Sequence, residues 1–217
     1  MSRIMFCGVD EAGRGPVMGP LVVGCVYVED DTVLREIGVR DSKKLTPKTR
    51  ERMYDEILSS VKDYSIVILE AREIDERMKV KNLNEIEMDM FVEASTKIPT
   101  DAIYADCPDV DENRFTAELA SRTGNSGVVG RNKADDTYPV VSAASIIAKV
   151  TRDRLMDQIS EQFGVDLGSG YPSDEKTMSF IRGWIAEHHS APEHTRTCWE
   201  PIKKLLMVSR NTRITDW

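Results

Sequence analysis

The segment Asp10-Glu11-Ala12-Gly13-Arg14-Gly15-Pro16 concentrates more potential chemistry than any other part of the chain. Two adjacent carboxylates follow the apolar run Ile4-Met5-Phe6-Cys7-Gly8-Val9, which predicts them at the C-terminal end of a strand. Ligands over open sheets bind at such ends. Neighbouring anions repel, and an apolar strand end does not tolerate them uncompensated. A hard divalent cation such as Mg²⁺ resolves the conflict, because it prefers carboxylate oxygens. Gly13 and Gly15 permit close approach and unusual dihedrals. Their amides and the Arg14 guanidinium suit a phosphate or a sugar hydroxyl. Asp106 ends a second apolar run, and Asp135 sits in Asn132-Lys133-Ala134-Asp135-Asp136, just before a long helical pattern. One Asp in a loop is ordinarily just solvated. Three segments that each deliver a carboxylate to a strand end or helix start are what two-metal phosphoryl transfer needs, with cations about 3.5–4 Å apart. One cation would activate water and the other would stabilise the leaving 3′-oxygen.

The elements that must position these groups can be read from periodicity. Strands are predicted over 4–9, 21–28, 64–69 and 102–105, with a weaker one over 127–130, and the early ones read as an antiparallel meander. Ile74, Met78, Ile86, Met90 and Phe91 recur at helical spacings. Thr46-Pro47 opens a helix through Met53, Ile57 and Leu58, with Thr as N-cap and Pro at the first position. Further helices are predicted over 140–163, from Ser173-Asp174-Glu175 onward, and over 199–207. Ala143, Ala144 and Ala148 would let the longest helix lie close to the sheet. The pattern is α/β: a mixed sheet with helices packed on it and a helical C-terminal part.

At 217 residues with 41% hydrophobic and 30% charged side chains, the chain is excluded from the collagen-like, low-complexity and disordered classes. Its longest apolar stretch, over 21–28, is far short of the ~20 residues that span a bilayer. Met1-Ser2-Arg3 leads straight into a strand rather than a signal peptide, so no membrane association and a cytoplasmic location are expected. Cys7, Cys25, Cys107 and Cys198 are scattered, which suits small buried hydrophobes and neither a disulfide framework nor a zinc ribbon. The irregular spacing of His188, His189 and His194 near Cys198 speaks against a metal site there. A net charge of -8 argues against a phosphate-rich partner, yet bound cations and a local basic patch can invert the field where it matters.

Five segments together resemble type 2 ribonuclease H (ribonuclease HII) in its archaeal version. They are 10–16, Asp41-Ser42-Lys43-Lys44-Leu45, Lys133-Ala134-Asp135, Ala143-Ala144-Ser145-Ile146-Ile147-Ala148-Lys149 and Gly168-Ser169-Gly170-Tyr171-Pro172-Ser173-Asp174. The resemblance implies a ribonuclease H-like mixed five-stranded sheet flanked by helices, with the catalytic domain and its helical C-terminal part over 1–208. It implies Mg²⁺- or Mn²⁺-dependent cleavage of RNA in RNA–DNA hybrids, with two cations at the site. Ribonucleotides embedded in duplex DNA would be cut on their 5′ side. By the same resemblance, Asp10, Glu11, Asp106 and Asp135 are the catalytic and metal-binding carboxylates. Gly13, Arg14 and Gly15 read the 2′-hydroxyl with Tyr171, and Ser42, Lys43 and Lys44 form the phosphate-contacting loop. Asn132 departs from the histidine often found before Lys-Ala-Asp in relatives. Ser145 and Lys149 share one helical face and suit either a place near the substrate or a structural hydrogen bond.

A tail over 209–217 turns polar yet ends in Ile214 and Trp217. With Asn211 in place of a glutamine, it resembles a degenerate sliding-clamp-binding peptide; otherwise Trp217 would fold back on its own domain. A monomer is expected. Two other readings are a non-catalytic nucleic-acid- or clamp-binding protein and a metal-dependent phosphatase for small phosphoesters. The complete carboxylate set speaks against the first, and the basic loop and Tyr171 against the second.

Overall fold

The computed structural model describes residues 4–39 and 45–212. They divide into two compact units, one built from 4–12, 22–39, 45–68 and 83–151, the other from 13–21, 69–82 and 152–212.

The first unit is organised by a five-stranded sheet in the order β3-β2-β1-β4-β5. The strands are β1 (Phe6–Ala12), β2 (Leu21–Val28), β3 (Asp63–Leu69), β4 (Ala102–Asp106) and β5 (Val128–Arg131). β2 pairs antiparallel with β1, whereas β4 is parallel to β1 and β5 to β4, so the sheet is mixed. Every residue of β2 is buried, as its unbroken apolar run requires of a strand covered on both faces. The helices of this unit are α1 (Thr32–Ile37), α2 (Pro47–Ser60), α4 (Leu83–Ser95), α5 (Glu112–Thr123), α6 (Ala134–Thr137) and the start of α7 (Pro139–Phe163); α3 (Ala71–Arg77) belongs to the second unit. Thr46 caps α2, its hydroxyl accepting the Thr49 N–H at 3.2 Å, with Pro47 in the first turn.

α7 lies hard against the sheet, for a reason shared by both partners. A Cβ at Gly8 would run into the Val140 backbone, and one at Gly24 would stand 2.6 Å from the Ala144 carbonyl. The small helix residues were visible in the sequence. The glycines opposite them complete the contact. Val26, Met53, Ile57, Val141, Ile147 and Val150 fill the core around it.

The second unit holds the turn 13–21, α3, the remainder of α7, α8 (Glu175–His188) and α9 (Glu200–Thr212). Val17, Met18, Met156, Leu167, Ile181, Ile185 and Ile202 form its core. Three differences from the sequence reading stand out. α1, α5 and α6 were not anticipated, the helical spacings over 74–91 resolve into two helices, and the last helix runs on to Thr212. Among the described residues no helix is long and apolar enough to cross a membrane.

Candidate active site

Strand register alone brings two of the four carboxylates together. Val9 is level with Ala105 in the parallel β1/β4 pair, so Asp10 and Asp106 occupy the next level on adjacent strands, about 4.8 Å apart along the sheet. Side chains alternate along a strand, so Asp10 shares the α7 face with Gly8, and Asp106 shares it with Tyr104, the partner of Gly8. Glu11 comes one residue later and takes the opposite side of the pleat, its N–H donating to Asp10 Oδ1 at 2.8 Å. Asp106 Oδ1 in turn accepts the Ala134 N–H at 2.7 Å, which ties β4 to the short helix carrying the buried Asp135. Lys133 precedes it with φ 58°, a left-handed conformation that costs a side-chain-bearing residue about 1–2 kcal/mol. Strain of this kind is held where function requires it.

Asp10 is 4% exposed. Burial first, then the charges of Glu11 and Asp106, push its carboxyl well above the usual carboxylate range. The Ser145 hydroxyl and the Lys149 ammonium, both from α7, pull the other way without prevailing. Lys149 Nζ donates to Ser145 Oγ at 2.8 Å, so the pair faces the site as one hydrogen-bonded unit. This settles the reading of their helical face in favour of a place beside the carboxylates.

The donor set is all hard oxygen, which suits Mg²⁺ or Mn²⁺. It does not form a closed cage: among the described residues no three His, Cys, Asp or Glu side chains gather closely enough to hold a metal by themselves. One or two carboxylates can hold such a cation together with substrate phosphate oxygens. The residues fit the group.

The second unit carries the Gly-rich turn and the Gly-Tyr-Pro loop. Gly13 has φ 95°, and a Cβ there would meet Arg152 Nε at 2.5 Å and the Pro20 carbonyl at 2.6 Å, so only glycine serves. The Tyr171 ring packs on Gly15, within 3.3 Å of where its Cβ would be. Asp174 accepts from Ser169 N and Oγ and caps α8, while Thr177 Oγ1 accepts the Gly170 N–H and donates to the Leu167 carbonyl. The Gly170 carbonyl then receives the Val17 and Met18 amides, so the loop and the turn are bound to each other. Two residues that sequence reasoning missed lie behind them, Arg152 and Arg196, both buried. Arg196 Nε donates to the Gly19 carbonyl at 3.0 Å, and its terminal nitrogens reach the carbonyls of Arg14 at 3.2 Å and Gly13 at 2.7 Å. Burial, then the Arg152 charge, pushes its guanidinium down to about 9. A lone Arg between Thr195 and Thr197 gives no signal in a single sequence.

Ser42, Lys43 and Lys44 lie outside the described residues, as do Ile214 and Trp217; the backbone of Asn211 belongs to α9.

A mixed five-stranded sheet in this order, with acidic residues on neighbouring parallel strands, has the architecture of the ribonuclease H fold. The sequence model of the Ribonuclease HII family matches residues 7–202, and a ribonuclease HII from Thermococcus kodakarensis is 48% identical over 205 residues, 92% of this chain and 89% of that one. The chain belongs to the ribonuclease HII family. It is an endoribonuclease acting on RNA–DNA hybrids. Solved structures agree. The ribonuclease H2 of Pyrococcus horikoshii superposes with a TM-score of 0.89 at 40% identity, covering 95% of this chain and 99% of that one. The ribonuclease HII of Archaeoglobus fulgidus, solved as a complex with PCNA, gives 0.86 at 41% identity over 92% and 96%. A non-catalytic binder or a small-molecule phosphatase is not favoured by these relatives.

Proposed function

We propose that the chain cuts on the 5′ side of ribonucleotides, in hybrids and singly embedded in duplex DNA, leaving a 3′-hydroxyl and a 5′-phosphate. Asp10, Glu11, Asp106 and Asp135 would hold two divalent cations, Mg²⁺ or Mn²⁺. The observation that carries this reading is the strand register, which sets the buried Asp10 level with Asp106 and next to Glu11, where burial first and then these two acids disfavour an uncompensated anion. A site that makes an anion this costly is matched to a cation. Bound there, the metals would supply an activated water and charge stabilisation at the phosphate.

The protein's own groups do the rest. Lys149, held by Ser145, offsets part of the negative charge around Asp10. The turn Gly13-Arg14-Gly15 offers amides to the 2′-hydroxyl, the group that separates RNA from DNA. Tyr171, 39% exposed, lays its ring beside that turn as a platform for the sugar. Ser42, Lys43 and Lys44 would contact the phosphate backbone. The tail, through Asn211, Ile214 and Trp217, would dock on a sliding clamp, a reading supported by the A. fulgidus complex with PCNA.

The deciding experiment is cleavage of a duplex containing one ribonucleotide, with and without Mg²⁺ or Mn²⁺, with product ends mapped. Metal-dependent cutting 5′ to the ribonucleotide is expected. Cutting elsewhere, or at full rate in EDTA, refutes it.

A further inference from the structure

The buried guanidinium of Arg196 holds the peptide planes of the Gly13–Gly19 turn from behind. Its three carbonyl bonds are not scattered. Two go to consecutive residues, Gly13 and Arg14, and the third to Gly19 at the far end of the same turn. A trans peptide is planar, with C=O and N–H on opposite sides of the chain. No cis peptide occurs among the described residues. A Gly13 carbonyl drawn inward to Arg196 therefore turns the Arg14 N–H outward, and the Arg14 carbonyl does the same for the Gly15 N–H. Two successive outward amides form a concave donor pair suited to one electron-rich oxygen. Gly15 is exposed, as such a pair requires, while Arg196 is fully buried. Among the described residues its guanidinium is received by carbonyls, and it stacks 5.0 Å from the Trp199 ring.

We infer that Arg196 is the positioning residue for ribose recognition: it aims the Arg14 and Gly15 amides at the sugar hydroxyl without touching the substrate. The inference rests on the reading of the 13–15 turn as the ribose contact. Arg196 is not a catalytic residue. Its loss should loosen the choice between ribose and deoxyribose and leave the carboxylates as they are.

The test measures binding of two duplexes that differ only in one ribonucleotide, by fluorescence anisotropy in EDTA so that neither is cut. The readout is the ratio of the two Kd values from one protein sample, which cancels any unfolded fraction. For Arg196→Met the preference for the ribonucleotide duplex should fall about tenfold, what one hydrogen bond of ordinary strength supplies. Amide exchange at Arg14 and Gly15 should quicken, and KM on the ribonucleotide duplex should rise while kcat holds, since the contact is made in ground and transition states alike. Arg196→Lys, with a point charge that reaches fewer carbonyls, should fall between wild type and Arg196→Met. Ile202→Val, a core change in the same unit, should lower Tm and leave the ratio untouched.

A wild-type ratio in folded Arg196→Met, with the ratio reduced in Tyr171→Ala, overturns the inference and leaves the ribose reading standing. Wild-type ratios in both variants overturn the ribose reading, and the inference falls with it. Should circular dichroism show Arg196→Met unfolded at the assay temperature, Arg196→Lys decides alone, and an unchanged ratio there is equally fatal.

Discussion

The two units bury charge of opposite sign, and in both the burial is costly: it pushes the Asp10 carboxyl up and the Arg196 guanidinium down to about 9. In the first, Asp10 is packed beside two other acids at the end of a strand, and the nearby Lys149 does not restore its ordinary acidity. In the second, Arg152 and Arg196 are buried with backbone carbonyls as their partners, Arg152 reaching those of Met18 and Ser169. Most of the guanidinium donors of the two arginines are received by carbonyls of their own unit, although Arg152 Nε finds no partner among the described residues. Asp10 also has partners, the Glu11 N–H and the Ser145 hydroxyl, but its charged neighbours include two further acids. The difference lies in what surrounds the charge: neutral carbonyls around the arginines, further carboxylates around Asp10.

Asp10→Asn and Asp135→Asn should each lower cleavage by about 10³-fold or more, the loss of several kcal/mol of metal-held charge stabilisation. Neither should lower Tm, because the amide keeps the shape and, at Asp10, removes a costly anion. Near-wild-type cleavage at saturating Mg²⁺ would take that residue out of the site. On the other side of the comparison, Tyr171→Ala should slow cleavage of a single embedded ribonucleotide by about 10- to 100-fold, the value of one aromatic platform contact. Its exposure leaves Tm nearly unchanged, which paired kinetics and melting would show.

Next comes the turn itself. Gly13→Ala places a methyl against Arg152 and Pro20 in a left-handed backbone, and should cost about 3 kcal/mol or more by denaturant unfolding. Gly38→Ala, with φ 79° and open space around it, should cost only about 1–2 kcal/mol. Equal losses would show that backbone strain alone matters and that the buried arginine is soft. The smallest effect concerns Asp75, which accepts the Thr197 N–H, the Thr197 hydroxyl and the Cys198 N–H at 2.8, 2.6 and 3.0 Å. Burial raises its pKa, but these bonds outweigh it and hold the carboxyl below the usual range. A lowered folded value means its contribution is present above the unfolded pKa of about 3.9 and is lost as pH falls through the folded value. Asp75→Asn should therefore cost about 1 kcal/mol at pH 6 and progressively less in melts carried toward pH 2.5, after discounting for solvent screening at this half-exposed site.

Asp10 and Asp106 were legible as strand carboxylates because each follows an apolar run, whereas Asp135 was placed only by the helical pattern that comes after it. α2 was legible through Thr46-Pro47, and α7 through its length. What escaped had weaker signals. α5 buries only Phe115 and Leu119, so its apolar stripe is thin, although Asp111 and Gly124 mark its ends. The apolar residues Ile74, Met78, Ile86 and Met90 recur at multiples of four across a break, and the break shows only in the turn bonds after Arg77, where the Lys79 and Val80 amides donate to the Glu76 and Arg77 carbonyls before α4 begins at Leu83. Arg196 escaped for a deeper reason. Its work is done by donating to carbonyls, which every residue carries, so no pattern of side chains encodes it.

The contact of Gly8 and Gly24 with α7 has a mechanical consequence. Ser145 and Lys149 ride on the helix whose backbone rests directly on those two residues, so the sheet sets how far both groups stand from Asp10. The seat has no slack, since a single methyl at Gly24 would stand 2.6 Å from the Ala144 carbonyl and must lift the helix. A shift of about 1 Å at a reacting centre is worth on the order of 10²-fold in rate. Clearance between two backbones, with no functional group involved, is thus a dimension of the candidate site, and the tolerance on it is smaller than one carbon atom.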